Sequence, residues 1–125
     1  MVHTVLPDAH MERNRSFVST YNKLSKEPLI GSWMSAAQTY DAVHRMSRAF
    51  VQSKGDVSGP ALKKALANIT RPYCGVVTTY DQPFSATDHD VVSANMLWMG
   101  TWRAGQREYA YTEDEKRATV IRRKQ

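Results

Sequence analysis

A chain of 125 residues has room for one hydrophobic core and seldom for two. Its 42% hydrophobic and 23% charged composition is that of a folded globular protein, with no apolar run near the roughly 18 residues that suggest a membrane span. The net charge of +5 does not define a nucleic-acid surface, because the excess sits at the end, in Lys116, Arg117, Arg122, Arg123 and Lys124.

Residues 1–7 lack a cationic stretch followed by a long apolar one, so they do not read as a signal peptide. Cys74 is the only cysteine, which rules out an internal disulfide and disfavours a cysteine-built metal site. It reads as a small core residue.

The first half of the chain has helical periodicity. Phe17, Val18, Tyr21 and Leu24 predict a helix that opens at Pro7 or Asp8 and fades by Ser25, since Pro28 disfavours α geometry at Glu27. The spacing next predicts a longer helix. Ser35 and Gln38 form a capping box, and Ala36, Tyr40, Ala42, Val43, Met46, Ala49 and Phe50 make a broad apolar face. Asp41 and Arg45, four apart, are expected as a pair on its outer side worth about 0.2–0.5 kcal/mol. Gly55 should stop this helix near Lys54. A third helix follows, capped by Ser58, with Pro60 in its first turn and a stripe of Leu62, Ala65, Leu66 and Ile69.

From Cys74 the pattern changes. The β-branched run at residues 75–80 predicts a strand, broken by Asp81-Gln82-Pro83. Residues 95–102 predict a second strand, and Ala104-Gly105-Gln106 a turn from which residues 107–111 pair back. Glu113-Asp114-Glu115 ahead of Lys116 suits a short terminal helix.

No glycine-rich phosphate loop and no G-x-S-x-G elbow is present. Asp88-His89-Asp90 offers oxygen and nitrogen donors, but three consecutive residues do not readily face one ion, and the stretch reads as a loop holding its own turns. Cys74 and His89 are a conceivable nucleophile and base, yet nothing beside Cys74 would activate its thiol. No catalytic residue, metal ligand or cofactor is assigned. Trp33 and Met34 precede the capped helix, with Ser35 and Gln38 in its first turn. The N–H groups of a helix start favour a carboxylate, and the aromatic and thioether could wall a small pocket around it. Alternatively Trp33 is a hydrophobic staple on its own helix. Trp98 and Trp102 share one strand face and read as core or interface.

Four stretches in order resemble one family. They are Phe17 to Tyr21 with Ala36-Ala37-Gln38-Thr39-Tyr40-Asp41-Ala42-Val43; Gly59-Pro60-Ala61-Leu62-Lys63-Lys64-Ala65-Leu66; Tyr73-Cys74-Gly75-Val76-Val77-Thr78-Thr79-Tyr80-Asp81; and Met96-Leu97-Trp98-Met99-Gly100-Thr101-Trp102 with Gly105. Together they are similar to the C-terminal part of the type I periplasmic binding proteins that serve branched-chain amino-acid ABC importers. The resemblance covers about residues 14–111 and leaves 112–125 as a charged tail. Thr78 stands where the family has a second glycine.

What the resemblance implies is an α/β fold: one C-terminal segment, residues 1–125, forming part of a Rossmann-like lobe, with helices first and strands with a hairpin second. It also implies a non-catalytic periplasmic solute receptor with no cofactor, which binds an amino acid or small carboxylate or amide for an ABC permease. Trp33, Met34, Ser35 and Gln38 fall approximately in its cleft-facing region. The chain is much shorter than the two-lobed family members, so we expect a homo-oligomer or a missing N-terminal part. The alternative is a truncated, self-associating module that binds no ligand.

Overall fold

The computed structural model describes residues 1–4, 12–25 and 33–118. The start of the first helix at Pro7 or Asp8 and the cluster Arg122, Arg123 and Lys124 lie outside the described residues; the helix ends at Leu24, in keeping with its expected fading by Ser25.

Three helices carry the first half: α1 (Glu12–Leu24), α2 (Trp33–Gln52) and α3 (Gly59–Ala67). The edge strand β1 (Val2–His3) precedes them. α2 includes Trp33, so Ser35 lies within its first turn and is exposed, not at the cap where the Ser35/Gln38 spacing put it. At the other end, Gly55 N–H donates to the Phe50 carbonyl and Lys54 N–H to that of Val51. This paired closure of a helix end places Lys54, at φ 56°, in the left-handed position, with Gly55 (φ 88°) following it. The side chain of Gln52 then clasps the end of α3, its Nε2 donating to the carbonyls of Ala65 (3.3 Å) and Asn68 (2.6 Å). Pro60 sits in the first turn of α3 as expected, while the Ser58 side chain makes no cap bond.

The buried face of α2 differs from the apolar face read from the sequence. Trp33, Ala37, Asp41, Arg45 and Ala49, each four residues after the last, point inward. Val43, Met46 and Phe50 are exposed instead, at 61%, 38% and 40%. Asp41 and Arg45 are therefore not an outer-side pair; both are buried, and the reason lies in the strands they meet.

The run at residues 75–80 is not one strand. β2 (Tyr73–Cys74) and β3 (Thr79–Tyr80) pair antiparallel, Tyr73 opposite Tyr80 and Cys74 opposite Thr79. Gly75 N–H donates to the Thr78 carbonyl at 2.9 Å, which leaves Val76 and Val77 as a two-residue turn. Further on, a 3₁₀ turn (Ala94–Met96) leads into β4 (Trp98–Arg103), which returns through Ala104 and Gly105 as β5 (Gln106–Tyr109). β1 pairs antiparallel with the free side of β4, giving the order β1-β4-β5. The short helix α4 (Thr112–Ala118) follows, with Lys116 on Glu113 and Arg117 on Asp114.

Among the described residues the molecule is thus a mixture of helices and two small sheets, with every strand pair antiparallel. A hydrophobic core among the described residues joins Phe17, Trp33, Ala37, Val76, Val77 and Tyr80. That core fixes the tight hairpin against the helices, and the polar centre lies at its edge. No helix among the described residues is long and apolar enough to cross a membrane.

Candidate functional site

The centre is built on two charged residues one turn apart on the inner face of α2. Asp41 is 1% exposed. An ionised carboxylate at that depth needs donors on both oxygens. Oδ1 accepts the Val76 N–H at 2.7 Å and the Tyr73 hydroxyl at 3.4 Å; Oδ2 accepts the Val77 N–H at 2.9 Å and the Tyr80 hydroxyl at 2.9 Å. The β2–β3 turn is therefore wrapped around a carboxylate contributed from more than thirty residues earlier. Gly75 makes the approach possible. A Cβ there would lie 2.5 Å from Oδ2 of Asp41 and 2.6 Å from the Tyr80 ring. Burial, and then the negative charge of Asp41, push the hydroxyls of Tyr73 and Tyr80 well above the ordinary tyrosine range. Both stay protonated and donate to Asp41, whose engaged oxygens suit holding a turn.

Arg45 contrasts with it. It is 6% exposed, and its Cζ lies 4.7 Å from the ring centre of Tyr80 and 4.3 Å from that of Phe84. Its buried Nε and Nη2 have no hydrogen-bond partner. Burial lowers the pKa of the guanidinium, opposed by the charges of Tyr80 and Asp41. It makes no ion pair with Asp41 among those of the described residues.

From Tyr80 a row of rings runs outward. Tyr80 and Tyr73 are stacked at 6.0 Å, Tyr73 and His44 at 5.7 Å, and Tyr40 tilts on His44 at 4.6 Å. Arg48 lies over Tyr73. The rings of Tyr40, His44 and Tyr73 form one side of a cavity of about 390 Å³ that also involves Glu12, Arg13 and Cys74. Arg13 ties α1 to β3, donating to the Thr78 carbonyl and the Thr79 hydroxyl, each at 3.4 Å.

The residues singled out from the sequence lie elsewhere on α2. Trp33 is buried with its ring edge-on to Phe17 at 5.5 Å. Sδ of Met34 accepts the Thr4 N–H at 3.4 Å, and Gln38 Nε2 donates to the Thr4 hydroxyl at 3.1 Å. Met34 and Gln38 thus meet at Thr4, just after β1, whereas Ser35 is exposed. Trp98 is buried against Tyr109, while Trp102 on the same strand face is 61% exposed. Cys74 is exposed, not a core residue, because the turn that follows it carries Val76 and Val77 inward in its place. It and His89 line different cavities. In the 85–90 loop, Asp88 Oδ1 accepts the Asp90 N–H and Ser85 Oγ those of Thr87 and Asp88, so the loop holds its own turns. No three His, Cys, Asp or Glu side chains gather into a metal-sized group among the described residues.

Sequence reasoning missed Asp41, Arg45, Tyr73 and Tyr80 as a unit. One signal was available: Trp33, Ala37, Asp41, Arg45 and Ala49 recur every fourth position, a regular row that contains both charges. No protein-family model matches the chain, and no curated protein or solved structure matches it either.

Proposed function

We propose that this chain is the C-terminal segment of a solute-binding receptor for an ABC-type importer, forming part of a Rossmann-like lobe of the type I periplasmic binding proteins. It works in the periplasm and carries out no covalent chemistry. The observation that carries this reading is the pairing of two of its family-like motifs. Asp41 of the Tyr-Asp-Ala-Val stretch is hydrogen-bonded to Val76 and Val77 of the Gly-Val stretch, and Gly75 is the residue that makes room. Motifs that answer each other in space support a common architectural origin better than motifs that merely follow in order.

In this reading the Asp41 centre is architectural, and it sets the angle between α2 and the β2–β3 hairpin. The ligand, an amino acid or a small carboxylate or amide, is held near the start of α2. There Met34 and Gln38 reach Thr4, with Trp33 packed beneath them in the core. Delivery to a permease follows closure around the ligand. Calorimetric titration of the native polypeptide with amino acids, their amides and short carboxylates tests this. A saturable one-to-one isotherm for one of these classes is expected, and the absence of binding across the panel would remove the importer reading.

A second reading, a self-associating module that binds no solute, is favoured by one observation. Val43, Met46 and Phe50 form an exposed apolar stripe at helical spacing on α2, a surface suited to the same stripe of a second copy. Sedimentation equilibrium distinguishes it. A dimer that Met46→Glu dissociates supports this reading, and a monomer at all concentrations eliminates it.

A further inference from the structure

We infer that the groove between α3 and residues 84–89 takes a single-chain anionic amphiphile, a medium-chain fatty acid by class. Its acyl chain lies on the apolar floor and its carboxylate meets Lys63 and Lys64. The groove shares no residue with the start of α2, and the inference does not rest on the importer reading.

The groove holds about 790 Å³, within the range of a small-molecule site. It follows α3 from Pro60 in the first turn to Asn68 at the end, about 12 Å at the helical rise. Leu62 and Leu66, one turn apart and half-buried, line one side, and Phe84 lines the other. Both walls are fixed before any ligand arrives. The Gln52 side chain clasps the end of α3, and Arg45 backs the Phe84 ring at 4.3 Å. Beyond Phe84 the loop closes on itself, the Ser85 N–H donating to the Asp88 carbonyl at 2.8 Å.

The charge along this groove has one sign. Lys63 and Lys64 line it, and no Asp or Glu does. Neither lysine belongs to an ion pair among the described residues. Asp88 and Asp90 flank His89 in sequence but lie outside the lining, and Asp88 Oδ1 is engaged by the Asp90 N–H. An apolar trough beside uncompensated positive charge complements a molecule that is apolar along its length and negative at one end. An extended peptide suits it less. Its backbone N–H and C=O groups would rest on leucine and phenylalanine side chains that offer no hydrogen bond, whereas an acyl chain has no polar group to satisfy.

The test titrates the full chain with monomeric decanoate, below its micelle threshold. Binding is followed by calorimetry and by the methyl resonances of Leu62 and Leu66, assigned from Leu62→Ile and Leu66→Ile. Decanol keeps the tail without the charge, decyltrimethylammonium reverses the charge, and butanoate keeps the head without the tail. Decanoate should bind saturably, one per chain, and move both sets of methyls. Decanol should bind about five- to tenfold more weakly, and the cation and butanoate more weakly still. Lys63→Gln combined with Lys64→Gln should weaken decanoate by a similar factor and leave decanol unchanged; both side chains are exposed, so that variant keeps the fold. Equal binding of decanoate and decanol, unmoved methyls, undiminished binding by the double variant, or butanoate as tight as decanoate would each overturn the inference. So would attachment to phosphatidylglycerol vesicles without saturable uptake of monomeric decanoate. Decanoate bound by a chain that binds no amino acid, amide or short carboxylate leaves the inference standing while the importer reading falls.

Discussion

The molecule turns its chain back on itself in two hairpins by opposite means. Between β4 and β5 the turn is local. Ala104 and Gly105 both adopt positive φ, 48° and 79°, the left-handed pair that matches the twist of two antiparallel strands. Between β2 and β3 the two turn residues are valines, 4% and 7% exposed, with neither φ in the left-handed range. Nothing local favours a turn there. It forms because a distant carboxylate collects the two valine N–H groups and two tyrosine hydroxyls. One hairpin can form from its own residues, whereas the other needs α2 in place first.

The sharpest way to break this contrast is to remove the carboxylate. Asp41→Ala strands two buried backbone donors and two hydroxyls, and leaves Arg45 with no anion near it. We expect a loss of about 3–5 kcal/mol, a large part of the 5–15 kcal/mol that holds a domain of this kind together. Urea unfolding measures the loss, and hydrogen exchange locates it. Protection should collapse at Val76 and Val77 before it falls at Thr101 and Glu108, a hydrogen-bonded pair of the β4–β5 ladder. Simultaneous collapse at both hairpins would show that they are one cooperative unit.

Next come the glycines. Gly75→Ala places a methyl into the Asp41 carboxylate and the Tyr80 ring, for about 3 kcal/mol of overpacking. Gly105→Ala meets no atom within 4 Å and pays only for its left-handed backbone, about 1 kcal/mol. If the two variants melt alike, the close approach at Gly75 is not what shapes the first hairpin.

The same division explains what could be read from the sequence. Periodicity located α2 and α3, Ala104-Gly105 marked the β4–β5 turn, and Glu113 to Lys116 marked α4, because each rests on contacts a few residues apart. The hairpin at 73–80 was invisible, since its β-branched residues favour extension and the atoms that bend it lie on another element. For the same reason Asp41 and Arg45 were placed outside: counting apolar residues assigns charges to solvent, and only the arrival of Val76, Val77 and Tyr80 makes an inward Asp41 favourable. Met34 and Gln38 were singled out for a pocket, and their bonds to Thr4 depend on β1, two residues long and paired with a strand far along the chain.

Tyr80 sharpens the comparison by pH. Removing its hydroxyl in Tyr80→Phe costs about 1.5 kcal/mol near neutrality, the range of a bond to a charged acceptor. Below about pH 10 the tyrosine is protonated in both folded and unfolded chains, so its contribution is fully present. Above that, the unfolded chain loses the proton first, because burial and Asp41 hold the folded hydroxyl protonated to higher pH. The unfolded state then binds fewer protons, and stability falls as pH rises. Tyr80→Phe should show a shallower alkaline decline in melting temperature than the parent. Parallel declines would mean that the hydroxyl is not tied to Asp41 in solution.

The smallest expected effect is a gain, at the self-sufficient hairpin. Ala104 holds a left-handed φ of 48°, a conformation its Cβ disfavours and an asparagine tolerates better. Ala104→Asn converts the turn to Asn-Gly, the pair most suited to this geometry, and should add about 0.5 kcal/mol. No replacement at Val76 or Val77 has a comparable local route, because strain in their own φ is not what that turn must overcome. A thermal scan of Ala104→Asn in the parent and in Asp41→Ala backgrounds makes the point quantitatively. Equal gains mean that the two turns are energetically independent, and a gain that vanishes without Asp41 means that the β4–β5 hairpin also waits for α2.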